Sequence, residues 1–162
     1  MRIVHSVTTL PQVSCVYAMY GGRGPGRYVA YVGIGQSLKS RAIQHLVRRD
    51  SSVTAGTSAV QLNPDYVTEL EWWEHSDFGQ RHVLEAAEMV AFDVLDPALR
   101  SRGAPQHRAR ELYGEESFYG EMRALFSGDP AGRLVIETLG DALERIAALE
   151  ERIAAVEDRL YD

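Results

Sequence analysis

Cysteine is nearly absent. Cys15 stands alone among 162 residues, so the chain can form no internal disulfide and has no thiolate set for a zinc site. Set among apolar neighbours, it is expected to be a small buried residue. Long hydrophobic runs are missing too: no stretch approaches the roughly 18 uninterrupted apolar residues of a membrane helix. The opening "MRIVHSVTTLPQ" lacks the apolar core of a signal peptide. These absences argue against secreted, disulfide-framed and membrane-spanning classes and lead us to expect a soluble protein of cytoplasmic type. No internal repeat is visible in the first 130 residues. The length suits one domain with a proper core plus an appendage, with little room for a second globular unit.

Acidic charge dominates overall, with a net charge of −6, but it is distributed unevenly. Residues 1–50 hold seven Arg or Lys against the single acid Asp50, and a second basic run, "RSRGAPQHRAR", carries Arg100, Arg102, Arg108 and Arg110. Local fields outweigh the total when a polyanion docks. Lys39, Arg48, Arg49, Arg100, Arg102 and Arg108 are therefore the candidate nucleic-acid contacts.

"SCVYAMY" (14–20) and "RYVAYVG" (27–33) are β-rich and flank the glycine-dense "GGRGPG", which reads as a hairpin. Ser37 is placed to cap a helix running to about Arg49, with Leu38, Ala42 and Leu46 on its buried face. Residues 51–65 are small and polar and read as a surface loop, and "VTELEWWEH" (67–75) alternates as a third strand. A second helix should run from about Gln80 to Leu95 and stop before Pro97. The order predicts an α/β fold with a small, mainly antiparallel three-stranded sheet flanked by helices. Within the partly helical connecting segment 104–128, "SFYGEMRALF" (117–126) is the best helix candidate.

Residues 129–162 read as one C-terminal coiled-coil helix, with Asp129 as cap and Pro130 at its first position. Position a holds Leu139, Ile146, Ile153 and Leu160, and position d holds Ala142, Leu149 and Val156. Arg145, Arg152 and Arg159 fall at g, with Leu143, Glu150 and Glu157 at e. In a parallel pair Arg145 meets Glu150 and Arg152 meets Glu157 of the other copy, whereas an antiparallel pair sets like charges together. A parallel homodimer is expected. The competing arrangement folds the helix back on its own domain.

Arg41 and His45 lie four apart, hence on one helix face, with Lys39 and Arg48 extending the positive surface. A phosphodiester would find an arginine fork and an imidazole together there, although such a pair is more often solvated decoration. Glu88 has Leu84, Ala91, Phe92 and Leu95 as helical neighbours, which projects a carboxylate from an apolar stripe. A charge in that position needs a cation, either a divalent metal or an arginine such as Arg41. Glu85, beside Arg81, is expected nearer solvent. Tyr17 and Tyr31 fall on paired strands, where tyrosines are usually core residues.

These residues together resemble the opening of the GIY-YIG nucleases. The paired triplets stand as Cys15-Val16-Tyr17 and Tyr31-Val32-Gly33. Arg41, His45, Glu88 and Pro97 fit the arginine, histidine, glutamate and proline that the family places downstream. The resemblance covers roughly residues 10–103, so that the nuclease-like domain is taken as 1–103. Two positions depart from it: Cys15 replaces the first glycine, and Arg100 stands where the family has an asparagine that supports the site. The resemblance implies a Mg²⁺ (or Mn²⁺) ion held by Glu88, with Tyr17 taking a proton from the attacking water, either as a more acidic phenol or through a base to which it hydrogen-bonds. It assigns phosphate stabilisation to Arg41, assistance to His45 and orientation to Tyr31. The implied function is a homodimeric metal-dependent DNA endonuclease. A non-catalytic nucleic-acid-binding module, suggested by Arg100, and a coiled-coil adaptor protein are the alternatives.

Overall fold

The computed structural model describes residues 1–56, 61–100 and 103–161, the last four as backbone only. Arg102 and the side chains of Arg159 and Leu160 lie outside the described residues. The expected hairpin forms from β2 (Cys15–Gly21) and β3 (Tyr28–Gly35), and β4 (Val67–Trp73) pairs antiparallel with β2 on its other side. Two further strands correct the three-stranded expectation. β5 (Gly132–Val135) pairs antiparallel with β4, and β1 (Arg2–Val4) pairs parallel with β5. The sheet is thus mixed and five-stranded, in the order β1-β5-β4-β2-β3.

The added strands have a physical cause. Glu71 of β4 is only 4 % exposed, and a buried carboxylate is costly unless cations meet it. Arg133, its direct cross-strand partner on β5, donates from Nε at 2.8 Å, and Arg27 donates from Nη2 at 2.8 Å. The arginine of "GRLV" is therefore drawn into the sheet. The C-terminal helix accordingly does not begin at Pro130; it begins after Thr138. There the Thr138 backbone N–H and hydroxyl both donate to Asp141 Oδ2 at 2.7 Å, a capping-box arrangement.

Among the described residues, five α-helices accompany the sheet. α1 (Leu38–Ala42), capped by Ser37, passes directly into a π-helical turn, Ile43–Arg48. α2 (Arg81–Leu95) ends with Asp96 in the left-handed region, φ 45°. α3 (His107–Tyr113) and α4 (Glu116–Ser127) fill the connecting segment, and α5 spans Leu139–Tyr161. α2, α3 and α4 cover one sheet face over Val16, Ala18, Tyr20, Val32 and Trp73. α1 packs on the other over Tyr17, Met19, Tyr31, Leu70 and Trp72. The 51–65 segment is not a surface loop throughout. Ser51, Val53, Thr54 and Leu62 are buried, and Leu62 N–H donates to Val53 O at 3.0 Å. Cys15 is fully buried, as expected, and burial followed by the charge of Glu74 pushes its thiol up to about 12.

Gly33 and Gly35 sit inside β3 and make room. Gly33 pairs with Tyr17, and a Cβ there would lie 2.5 Å from the Tyr17 hydroxyl and 2.9 Å from the Tyr31 ring. A Cβ on Gly35 would lie 2.5 Å from Arg41 Cγ. Both phenols and the guanidinium stem therefore rest against bare backbone. Gly33→Ala is expected to cost about 1–3 kcal/mol through overpacking. Gly120→Ala, on exposed helix with open space around it, should gain about 0.5–1 kcal/mol. Urea unfolding of both variants checks the contrast.

Candidate active site

β3 is one of the two edge strands of the sheet, and the site forms around that edge. α1 and α2 lie on opposite faces, yet Tyr31 and Gly35 of β3, Arg41 of α1, and Arg81 and Glu88 of α2 line one cleft of about 480 Å³. The β3 edge is partly covered by the chain after α2, where Ala98 and Leu99 N–H donate to Val29 and Ala30 O. That segment is anchored in turn by Glu85. Its carboxylate accepts from Arg81 Nε at 2.6 Å and from Gln106 N–H at 3.0 Å. Glu85 is thus the more buried of the two acids, contrary to expectation, and Glu88 is half-buried at the cleft. Burial acts to raise the Glu85 pKa, but the Gln106 N–H and Arg81 outweigh it and hold the carboxyl below its usual range.

Behind the cleft lies a hydrogen-bonded chain of buried polar groups. The Tyr17 hydroxyl meets His45 Nε2 at 2.8 Å, and His45 Nδ1 meets Ser51 Oγ at 2.8 Å. Ser51 Oγ meets Thr54 Oγ1 at 2.7 Å, and the Thr54 hydroxyl donates to Ser51 O at 3.2 Å. The Tyr31 ring closes the group, its centroid 6.3 Å from that of Tyr17 and 5.6 Å from that of His45. His45 reaches this position from the π-helical turn, a widened geometry often found at functional sites. Arg41, four residues earlier, donates from Nη1 to Gln44 Oε1 at 2.7 Å, while its buried Nε has no hydrogen-bond partner among the described residues.

Burial, then the neighbouring Tyr31, raises the Tyr17 pKa, so the phenol is not made more acidic in this structure; it is hydrogen-bonded to a base instead. Tyr17 is fully buried and does not line the cleft, whereas Tyr31 does. Burial, then the charge of Glu88, raises Tyr31 as well. Burial and the Arg41 charge push His45 down to about 4, leaving a neutral imidazole. For Arg41, burial opposes the charge, and the Tyr17, Tyr31 and Glu88 side chains more than offset it.

All five candidate catalytic residues, Tyr17, Tyr31, Arg41, His45 and Glu88, thus fall in one neighbourhood. The candidate nucleic-acid contacts do not form one free basic surface. Arg48 pairs with Asp50 at 3.2 Å, Arg49 with Asp65 at 2.5 Å, and Arg100 with Asp96. Lys39 is half-buried, and Arg108 is exposed on α3. Sequence reasoning missed Arg81 and the Ser51–Thr54 pair. The i,i+4 spacing of Arg81 and Glu85 was a usable signal for the first, whereas nothing in "DSSVTAG" marks the second.

A histidine held neutral in the fold binds fewer protons than in the unfolded chain between its two pKa values. Stability from this group is therefore present above about 6.5 and is lost as pH falls toward about 4. Chemical unfolding at pH 7.5 and 4.5 should show wild type losing about 2 kcal/mol more than His45→Gln over that interval.

The chain matches no family model, no curated protein and no solved structure.

Proposed function

We propose that the protein is a metal-dependent endonuclease that hydrolyses DNA phosphodiester bonds with the residues of the β3-edge cleft. One observation carries this reading: Tyr31, Arg41 and Glu88, supplied by three separate elements, line the same cleft, and these are the types of group that the GIY-YIG resemblance assigns to phosphodiester cleavage. Arg41 remains charged. A phosphate oxygen in the cleft would accept from its guanidinium and gain stabilisation as charge develops there. Tyr31 is the phenol that meets the substrate, and Tyr17 lies behind it, joined to His45. Arg81 adds a second cation to the rim.

Glu88 is the acid of the cleft, and no cluster of three or more His, Cys, Asp or Glu occurs among the described residues. That donor set fits Mg²⁺ or Mn²⁺, since Mg²⁺ is commonly held by one or two carboxylates with water and substrate phosphate oxygens completing the shell. Glu88 would hold the ion, which when bound supplies Lewis-acid polarisation of the phosphate. Supercoiled plasmid incubated with Mg²⁺ should be nicked by wild type. Glu88→Ala and Arg41→Ala, each with an unchanged circular dichroism spectrum, should be slower by at least about 100-fold. Salt-sensitive binding without cleavage by wild type overturns the catalytic reading in favour of a binding module.

We also infer that α5 joins two copies in parallel. Leu139, Leu143, Ile146, Leu149, Ile153 and Val156 are 47–73 % exposed, an apolar stripe that an isolated helix would not leave in water. The charges at g and e complement one another only in the parallel pairing. Within one chain Arg145 already pairs with Glu137 at 2.9 Å, and Asp141 with Arg23, so Arg152 and Glu157 carry more of that preference. Two clefts held by such a dimer are suited to cutting both strands. Light scattering should give a dimer for wild type and a monomer for Leu149→Asp, with the thermal midpoint of the sheet domain little changed.

A further inference from the structure

We infer that Ser51 is a positioning residue that sets the tautomer of His45 and thereby aims the Tyr17 hydroxyl. The assignment follows from donor counting in a buried chain. With the Thr54 hydrogen on Ser51 O, at 3.2 Å, the 2.7 Å contact between the two hydroxyls takes the Ser51 hydrogen, donated to Thr54 Oγ1. Thr54 N–H also donates to Ser51 Oγ, at 3.3 Å. Ser51 Oγ is then left to accept from His45, which puts the imidazole hydrogen on Nδ1 and leaves Nε2 as an acceptor at 2.8 Å from the Tyr17 hydroxyl. Every donor in the chain has a partner in this arrangement. The reverse direction would make Tyr17 accept from His45 and turn its own hydrogen toward Tyr31, and would make Ser51 donate to His45 Nδ1, so that the Thr54 hydrogen would have to leave Ser51 O for Ser51 Oγ.

With its hydrogen committed to Nε2, the Tyr17 oxygen presents only lone pairs toward its other neighbours. These are Tyr31 from β3 and Arg41 from α1, with Glu88 of α2 acting on both from the cleft side. The Tyr31 hydroxyl can then donate inward and face the cleft with a lone pair, the orientation needed to accept a hydrogen bond from an attacking water. Ser51 and Thr54 thus support the site from behind, while Ser52 and Val53 of the same segment line the cleft. Ser51 touches none of the reacting atoms and acts through His45.

The consequence for rate rests on the nuclease reading, but the tautomer does not. Nitrogen-15 spectra of histidine-labelled full-length protein between pH 6 and 8 should place the His45 hydrogen on Nδ1. In Ser51→Ala it should move to Nε2 in most molecules, and Ser51→Thr should return it to Nδ1. Tyr17→Phe, which removes the partner on Nε2 but leaves Ser51, should keep Nδ1–H, and this decides the matter even where Ser51→Ala fails to fold. A wild-type hydrogen on Nε2, an unmoved tautomer in folded Ser51→Ala, or a switch in Tyr17→Phe overturns the assignment. In plasmid nicking, folded Ser51→Ala should lose about 100-fold in kcat with KM for DNA within about twofold of wild type. An unchanged kcat with a switched tautomer overturns the positioning role, whereas absence of nicking by wild type counts against the nuclease reading alone.

Discussion

The contact between the Tyr17 hydroxyl and His45 Nε2 is the constraint around which the site is assembled. It spans 2.8 Å between a central strand and a π-helical turn, both fully buried, where an unmade hydrogen bond would cost far more than a made one contributes. Three features exist to permit it. Gly33 leaves the space into which the Tyr17 ring leans. The π-helical turn carries His45 down onto the sheet. Ser51 and Thr54 satisfy the far side of the imidazole. Remove any one, and a buried polar atom loses its partner or its room.

The edge position of β3 explains how Glu88 and Arg41 come to share one cleft. A glutamate in the middle of α2 would be separated from Tyr17 and Arg41 by the full thickness of the sheet, because α1 and α2 pack on opposite faces. Where α2 crosses the last strand, however, the two layers are open to each other. Glu88 lies half-buried at that margin, while Glu85, one turn earlier, turns inward and fixes the segment that covers the strand edge. Two acids on one helix thus divide between structure and cleft. Glu85 turns to the Gln106 N–H and the Arg81 guanidinium, whereas Glu88 lines the cleft with Arg41 and Tyr31.

Legibility in the sequence followed the range of the interactions. The hairpin, α2 and the candidate five residues were readable because alternation, helical spacing and ordered motifs are local or regularly spaced patterns. β5 was hidden because Asp129 and Pro130 imitate a helix start, and the force that places "RLV" in a sheet is a buried glutamate more than sixty residues away. Ser51 and Thr54 were hidden for a related reason. Small polar residues between elements normally solvate a loop, and only the tertiary placement of His45 turns two of them into a buried support. Glu85 and Glu88 were assigned opposite burial, since apolar helical neighbours report the stripe a residue sits on and not what lies opposite it.

The electrostatics of the cleft limit what it can do in its resting state. At neutral pH the two phenols keep their hydrogens, the imidazole is neutral and Arg41 is charged. Glu88 raises Tyr31 through its negative charge, so any positive charge brought against Glu88 removes one of the two causes that keep the Tyr31 phenol protonated. Substrate phosphate alone would work in the opposite direction, adding negative charge to a site that already disfavours a phenolate. On the proposed nuclease reading, a cation at Glu88 would therefore have to arrive before or together with the phosphate. On that reading Glu88, the one carboxylate among the described residues of the cleft, would couple the holding of a cation to the proton on its tyrosine neighbour.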